Sequence, residues 1–207
     1  MTYINSKIIL TFLLMNSCAY LEYREIFEYT KNYIAGIDDL IIDSDYLEGR
    51  RSSFIKVKLG RSKFAIFVLS SYSDLGFVWV GPNEEKIITK HGRVIETSDL
   101  QHNLEILNKS QVMIAGPDAS QISIAVSEPS ATIDQSIDRS YLGEENLVLV
   151  KPYTAIKYKE TFNTDFYRWS GVNYYWIDSA TNLPLKTITS PHPLLGEMTI
   201  EFYYNYK

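Results

Sequence analysis

What most constrains this chain is a series of short runs in which apolar and polar residues alternate, each run closed by a turn. Phe54-Ile55-Lys56-Val57-Lys58-Leu59 and Lys63-Phe64-Ala65-Ile66-Phe67-Val68-Leu69 flank Gly60-Arg61-Ser62. A period of two on both sides of a glycine predicts a hairpin. Phe77-Val78-Trp79-Val80 follows, and Gly81-Pro82-Asn83 predicts a turn. Lys86 to Lys90 and Arg93 to Thr97 flank His91-Gly92, a second tight hairpin. After Gly116-Pro117-Asp118 the strand pattern returns at Gln121 to Ser127, Leu147 to Tyr158, Asn173 to Asp178, Leu185 to Thr189 and Met198 to Tyr206. Strands this close leave no room for crossover helices, so roughly ten strands imply an antiparallel sheet.

Between the strands the period changes. Tyr23, Ile26, Phe27, Thr30 and Ile34 recur near helical spacing and predict an amphipathic helix from Tyr20 to Ala35, ending at Gly36. Asp38 to Gly49 reads as an acidic connection. Ser98-Asp99-Leu100-Gln101 resembles a capping box, and Leu100, Leu104 and Leu107 predict a short helix. Pro129 to Gly143 reads as a polar crossing. The expected fold is mainly β: one antiparallel curved sheet or half-barrel with an N-terminal helix and one short helix.

The N-terminus carries a different signal. Lys7 precedes the run Ile8 to Met15, and the chain's single cysteine, Cys18, follows Met15-Asn16-Ser17. The run is shorter than the about 20 apolar residues of a membrane-spanning helix. Its layout is that of a secretory signal peptide. The reading is therefore a signal peptide at 1–17 and one periplasmic domain at 18–207. Ser17-Cys18 resembles a bacterial lipobox, in which the cysteine is acylated with chains such as palmitate and becomes the new N-terminus. Ala19 stands where an Asp would retain an enterobacterial lipoprotein at the inner membrane, so the expectation is an outer-membrane anchor facing the periplasm. One cysteine also means no internal disulfide.

The net charge of −5 over 207 residues argues against a dedicated nucleic-acid binder, which needs a basic face for phosphates. Three histidines, His91, His102 and His192, show no metal-ligand spacing. There is no Gly-x-Ser-x-Gly elbow and no phosphate loop. Leu47 blocks an EF-hand reading of Asp43-Ser44-Asp45. Glycan cleavage needs two carboxyl groups roughly 5 to 10 Å apart. The candidates are Asp38, Asp39, Asp43, Asp45 and Glu48 in one connection, and Asp165 and Asp178 beside aromatic strands; a solvated acidic loop is the simpler reading.

Aromatic residues are dense from Phe162 to Trp176. Alternation puts Tyr174 and Trp176 on one face and Tyr175 on the other. An exposed aromatic face would stack on sugar rings or pack on a partner. Trp169, Tyr174 and Trp176 are the candidate contacts.

Two stretches carry a family resemblance. One runs from Val57-Lys58-Leu59-Gly60 through Phe77-Val78-Trp79-Val80, Ile87-Ile88-Thr89, His91-Gly92-Arg93-Val94-Ile95 and Asp99-Leu100-Gln101-His102-Asn103-Leu104. The other is Tyr175-Trp176-Ile177-Asp178-Ser179-Ala180-Thr181-Asn182-Leu183-Pro184-Leu185-Lys186. With the lipobox, they resemble the GfcB/YjbF family of group 4 capsule and exopolysaccharide lipoproteins, in its YmcC-like branch. Asn182 replaces the family's usual turn glycine and tolerates the same left-handed conformation. The resemblance implies a half-barrel and a lipid-anchored accessory role in capsule or exopolysaccharide assembly or export. The partners would be a polysaccharide or an outer-membrane export protein. Only Cys18 carries over as a functional residue, and the resemblance supplies no catalytic residue and no cofactor. Two rival readings are a carrier of a hydrophobic ligand and a glycan-cleaving enzyme.

Overall fold

A computed structural model describes residues 41–112, 120–166 and 168–205. Twelve strands run up and down in chain order. They are β1 Phe54–Leu59, β2 Ala65–Ser73, β3 Gly76–Val80, β4 Lys86–Lys90, β5 Arg93–Ser98 and β6 Leu104–Ile106, then β7 Ser120–Val126, β8 Ala131–Val148, β9 Pro152–Asn163, β10 Ser170–Asp178, β11 Pro184–Thr189 and β12 Met198–Tyr203. Each pairs antiparallel with the next, and β12 pairs back onto β1 from Phe54↔Tyr203 to Leu59↔Met198. The curved antiparallel sheet expected from the sequence thus goes further than a half-barrel and closes, leaving no free edge at its seam.

The alternation that predicts the strands also builds the core. Ile55, Val57, Phe67, Trp79, Ile87, Ile95, Ile122, Ile133, Met198, Ile200 and Phe202 point inward and are buried together. Trp79 is fully enclosed, and its indole N–H donates to Thr89 Oγ1 at 2.8 Å, so its polar atom is satisfied. Two smaller clusters lie on the outside of the barrel. Phe54 and Tyr203 stack at 4.9 Å and are covered by Ile42 and by a short helix, α1 Ser44–Glu48, through Tyr46 and Leu47. Ala155, Trp176 and Leu185 form the other.

Four segments differ from expectation. The short helix lies in the acidic connection, where Asp43 caps it by accepting the Tyr46 N–H at 2.8 Å. The Leu100, Leu104, Leu107 stripe is instead a turn and strand β6. Two side chains explain why: Asn103 Nδ2 donates to Leu100 O at 2.9 Å and Thr97 Oγ1 accepts the Leu104 N–H at 3.0 Å, the two backbone groups that a helix would join to each other. Asp99, at φ +61°, also breaks the helical path. The polar crossing is the first half of β8, where Ile133, Gln135 and Ile137 are buried between exposed Thr132, Asp134 and Ser136. The strand expected over Leu147 to Tyr158 is divided by a turn at 149–151. Cys18, the helix from Tyr20 to Ala35 and the turn at Gly116-Pro117-Asp118 lie outside the described residues.

Candidate functional site

In an up-and-down barrel the connections after odd-numbered strands gather at one rim. Three of them, at 127–130, 164–169 and 190–197, shape a pocket of about 370 Å³ walled by Pro129, Phe166, Trp169, Pro193 and Leu194. Every side chain in that wall is apolar or aromatic. The β9–β10 loop is fixed by its own backbone: Trp169 N–H donates to Phe166 O at 2.9 Å, and Thr164 N–H donates to Trp169 O at 3.1 Å. The Trp169 ring packs edge-on against Phe162, centroids 5.1 Å apart, which roots it in the core.

The opposite wall is held by a histidine. His192 is fully buried, and its Nδ1 accepts the Leu194 N–H at 3.1 Å. The ring proton is therefore on Nε2, which donates to Ser127 O at 3.2 Å. This side chain joins the β11–β12 loop to the β7–β8 turn and so sets the spacing of Pro193 and Leu194 from Pro129. His102 stacks on it at 5.2 Å. Burial, offset in part by the Ser127 carbonyl and reinforced by His102, holds the His192 pKa below its usual value. From the sequence, His192 is only a histidine between two prolines. Its role depends on a contact 65 residues away.

The three candidate aromatic residues do not share one face. Trp169 is in the rim pocket. Tyr174 and Trp176 are on the outer wall, 6.1 Å apart, while Tyr175 turns inward. Trp176 is only 6% exposed: its indole N–H donates to Glu145, and Lys157 and Lys186 lie over its ring at 4.7 and 5.7 Å. The candidate carboxylates are also dispersed. Asp43 caps α1. Asp178 accepts from Thr181 Oγ1 at 2.7 Å in the β10–β11 turn, and Asp165 is exposed beyond the other end of β10. The length of that strand puts Asp165 and Asp178 on the order of 25 Å apart. Asp38 and Asp39 lie outside the described residues. No cluster of three or more potential metal ligands occurs among the described residues.

The model of the family described as group 4 capsule polysaccharide lipoprotein GfcB, YjbF, matches residues 30–202. The chain belongs to this family. The crystal structure of the hypothetical lipoprotein YmcC from Escherichia coli superposes with a TM-score of 0.71 at 18% identity, over 87% of this chain and 93% of that one. It shows that the two share a fold. No curated protein matches. Membership in the YjbF family places the chain among capsule-related lipoproteins of the cell envelope.

The interior of this YjbF-family barrel is filled rather than hollow. Its internal cavity measures about 20 Å³, room for one water-sized body, whereas sites for small organic ligands run to several hundred. Across β8, β9 and β10 a polar row, Arg139, Glu160 and Asn173, faces inward in register. Glu160 Oε2 accepts from Arg139 Nε at 3.0 Å and from Arg93, which reaches over from β5. Glu160 Oε1 accepts from Asn173 Nδ2 at 2.9 Å, with the Tyr175 hydroxyl at 3.5 Å. Burial alone would raise the Glu160 pKa, but Arg93, Asn173 and Arg139 outweigh it and hold the carboxyl below its usual range. A carboxylate locked in this way is an ion-pair anchor and not a proton donor.

Proposed function

We propose that this protein is a lipid-anchored accessory factor for capsule or exopolysaccharide assembly or export, and that it acts by binding rather than catalysis. Acyl chains on Cys18 fix it to the periplasmic face of the outer membrane, where several chains give stable attachment and one would not. The rim pocket around Trp169 makes the working contact. The observation that carries this reading is the pocket itself: about 370 Å³, lined wholly by prolines, Leu194 and two aromatic rings, at the mouth of a filled barrel. Sugar sites need hydrogen-bonding groups beside the stacking ring, and this wall offers few. An apolar anchor residue from an export protein fits it better than a glycan. The family's description as capsule polysaccharide lipoproteins supports the biological setting.

The test is surface polysaccharide in a deletion strain complemented with wild type, Cys18→Ser or Trp169→Ala. Deletion and both variants should lower it, with Trp169→Ala still folded and membrane-bound. Unchanged polysaccharide on deletion removes the export role. Normal polysaccharide with Trp169→Ala removes the pocket from it. The hydrophobic-carrier alternative would use the same pocket, because the cavity of about 20 Å³ found inside the barrel among the described residues is too small for an acyl chain. Lipid extracted with the wild-type protein and lost from Trp169→Ala would favour the carrier.

A further inference from the structure

We propose that the barrel interior holds one small monovalent anion of the halide class, seated against Arg93 and Thr189. The argument begins with charge. Two guanidinium groups, on Arg93 and Arg139, share the single carboxylate of Glu160, and all three side chains are more than nine-tenths buried. Arginine does not release its proton at accessible pH, so the cluster carries one positive charge in excess. Tyr175 cannot supply the missing negative charge, because burial drives its phenol pKa up and keeps it protonated. Asn173 is neutral. An uncompensated charge inside a packed interior is strongly unfavourable.

The second observation is positional. Arg93 Nε and Thr189 Oγ1 are buried with no hydrogen-bond partner among the described residues, and both side chains line the internal cavity. Gln135, Asn173, Tyr175 and Ser190 supply further polar wall, and aliphatic side chains and Pro191 close the rest. At about 20 Å³ the space excludes a sugar, a phosphate or an organic acid. A water molecule would satisfy the donors and leave the charge. A monatomic anion does both.

The experiment is thermal unfolding of the full chain in sodium chloride or bromide against sodium gluconate at equal ionic strength, together with anomalous scattering from bromide-soaked crystals. The midpoint should rise with the logarithm of halide concentration above the dissociation constant, by roughly 4–8 °C at about thirty times that constant. A bromide peak should lie beside Arg93 Nε. Arg93→Met removes the surplus charge and should abolish the halide dependence. If that variant does not fold, Thr189→Val keeps every charge and should at least halve the shift. Equal midpoints in bromide and gluconate, or no bromide peak, mean a water in the cavity and overturn the proposal. A halide shift that Thr189→Val leaves whole puts the ion elsewhere and overturns it too.

Discussion

Glu160 shows how far one side chain's role can lie from its appearance in the sequence. In Lys157-Tyr158-Lys159-Glu160-Thr161 it reads as one more strand charge, and neither period nor composition marks it as inward. Its meaning comes from Arg139 across the β8–β9 ladder and Arg93 across the lumen, neither of which is near in sequence. Glu160→Gln would leave two buried guanidiniums without the carboxylate they share. Breaking a buried pair in this way costs roughly 3–5 kcal/mol, so urea unfolding should show a loss of that size with the denaturant slope unchanged. The aromatic density around Trp169 was legible; that three separate loops would wall a pocket beside it was not. That Trp176 is spent on Glu145 and two lysines was not, because long side chains cover aromatic rings only after the strands are in register.

At the scale of elements, hairpins with strong local signals were legible. His91-Gly92 has positive φ at both positions, 51° and 83°, as its tight turn requires. β6 and the first half of β8 were not. β6 has only three residues and no periodicity to detect, and in β8 the inward-facing Gln135 and Arg139 interrupt the apolar set of Ile133 and Ile137. Glycines separate the two kinds of turn. At Gly76, φ is 134° and an added Cβ would stand 2.4 Å from the Thr89 carbonyl oxygen; at Gly60, φ is 52° with open space around it. Gly60→Ala should therefore cost only about 1 kcal/mol of left-handed strain. Gly76→Ala should cost several times more, since backbone of β4 must move. Paired urea titrations of the two variants check the ordering.

For the molecule as a whole, the closed antiparallel architecture was legible in class and not in closure, because a sheet's curvature says nothing about whether its ends meet. Stability should depend on pH in one direction. Partial desolvation and the neighbouring Lys90 charge hold the His91 pKa below 6.5, and burial does the same for His192, so the unfolded chain binds more protons than the barrel on the acid side. The stability they allow is whole above pH 6.5 and is lost as pH falls from there through their folded-state values. Glu160, held below its usual 4.5, adds a second loss of the same sign at lower pH. Chemical unfolding at pH 7.5, 6 and 4 should give falling free energies. A maximum near pH 5 would contradict this account.

The seam between β1 and β12 has a consequence for how the protein comes into being. Phe54 pairs locally with Val68 on one side, but its partner on the other is Tyr203, almost the full length of the described chain away. A polypeptide delivered N-terminus first can assemble local hairpins as it emerges, but it cannot complete its cylinder until the last strand has arrived. Such late, long-range closure makes folding slow relative to synthesis or passage through a pore. The unfinished sheet, with two sticky margins, is the species that a quality-control protease or chaperone would meet.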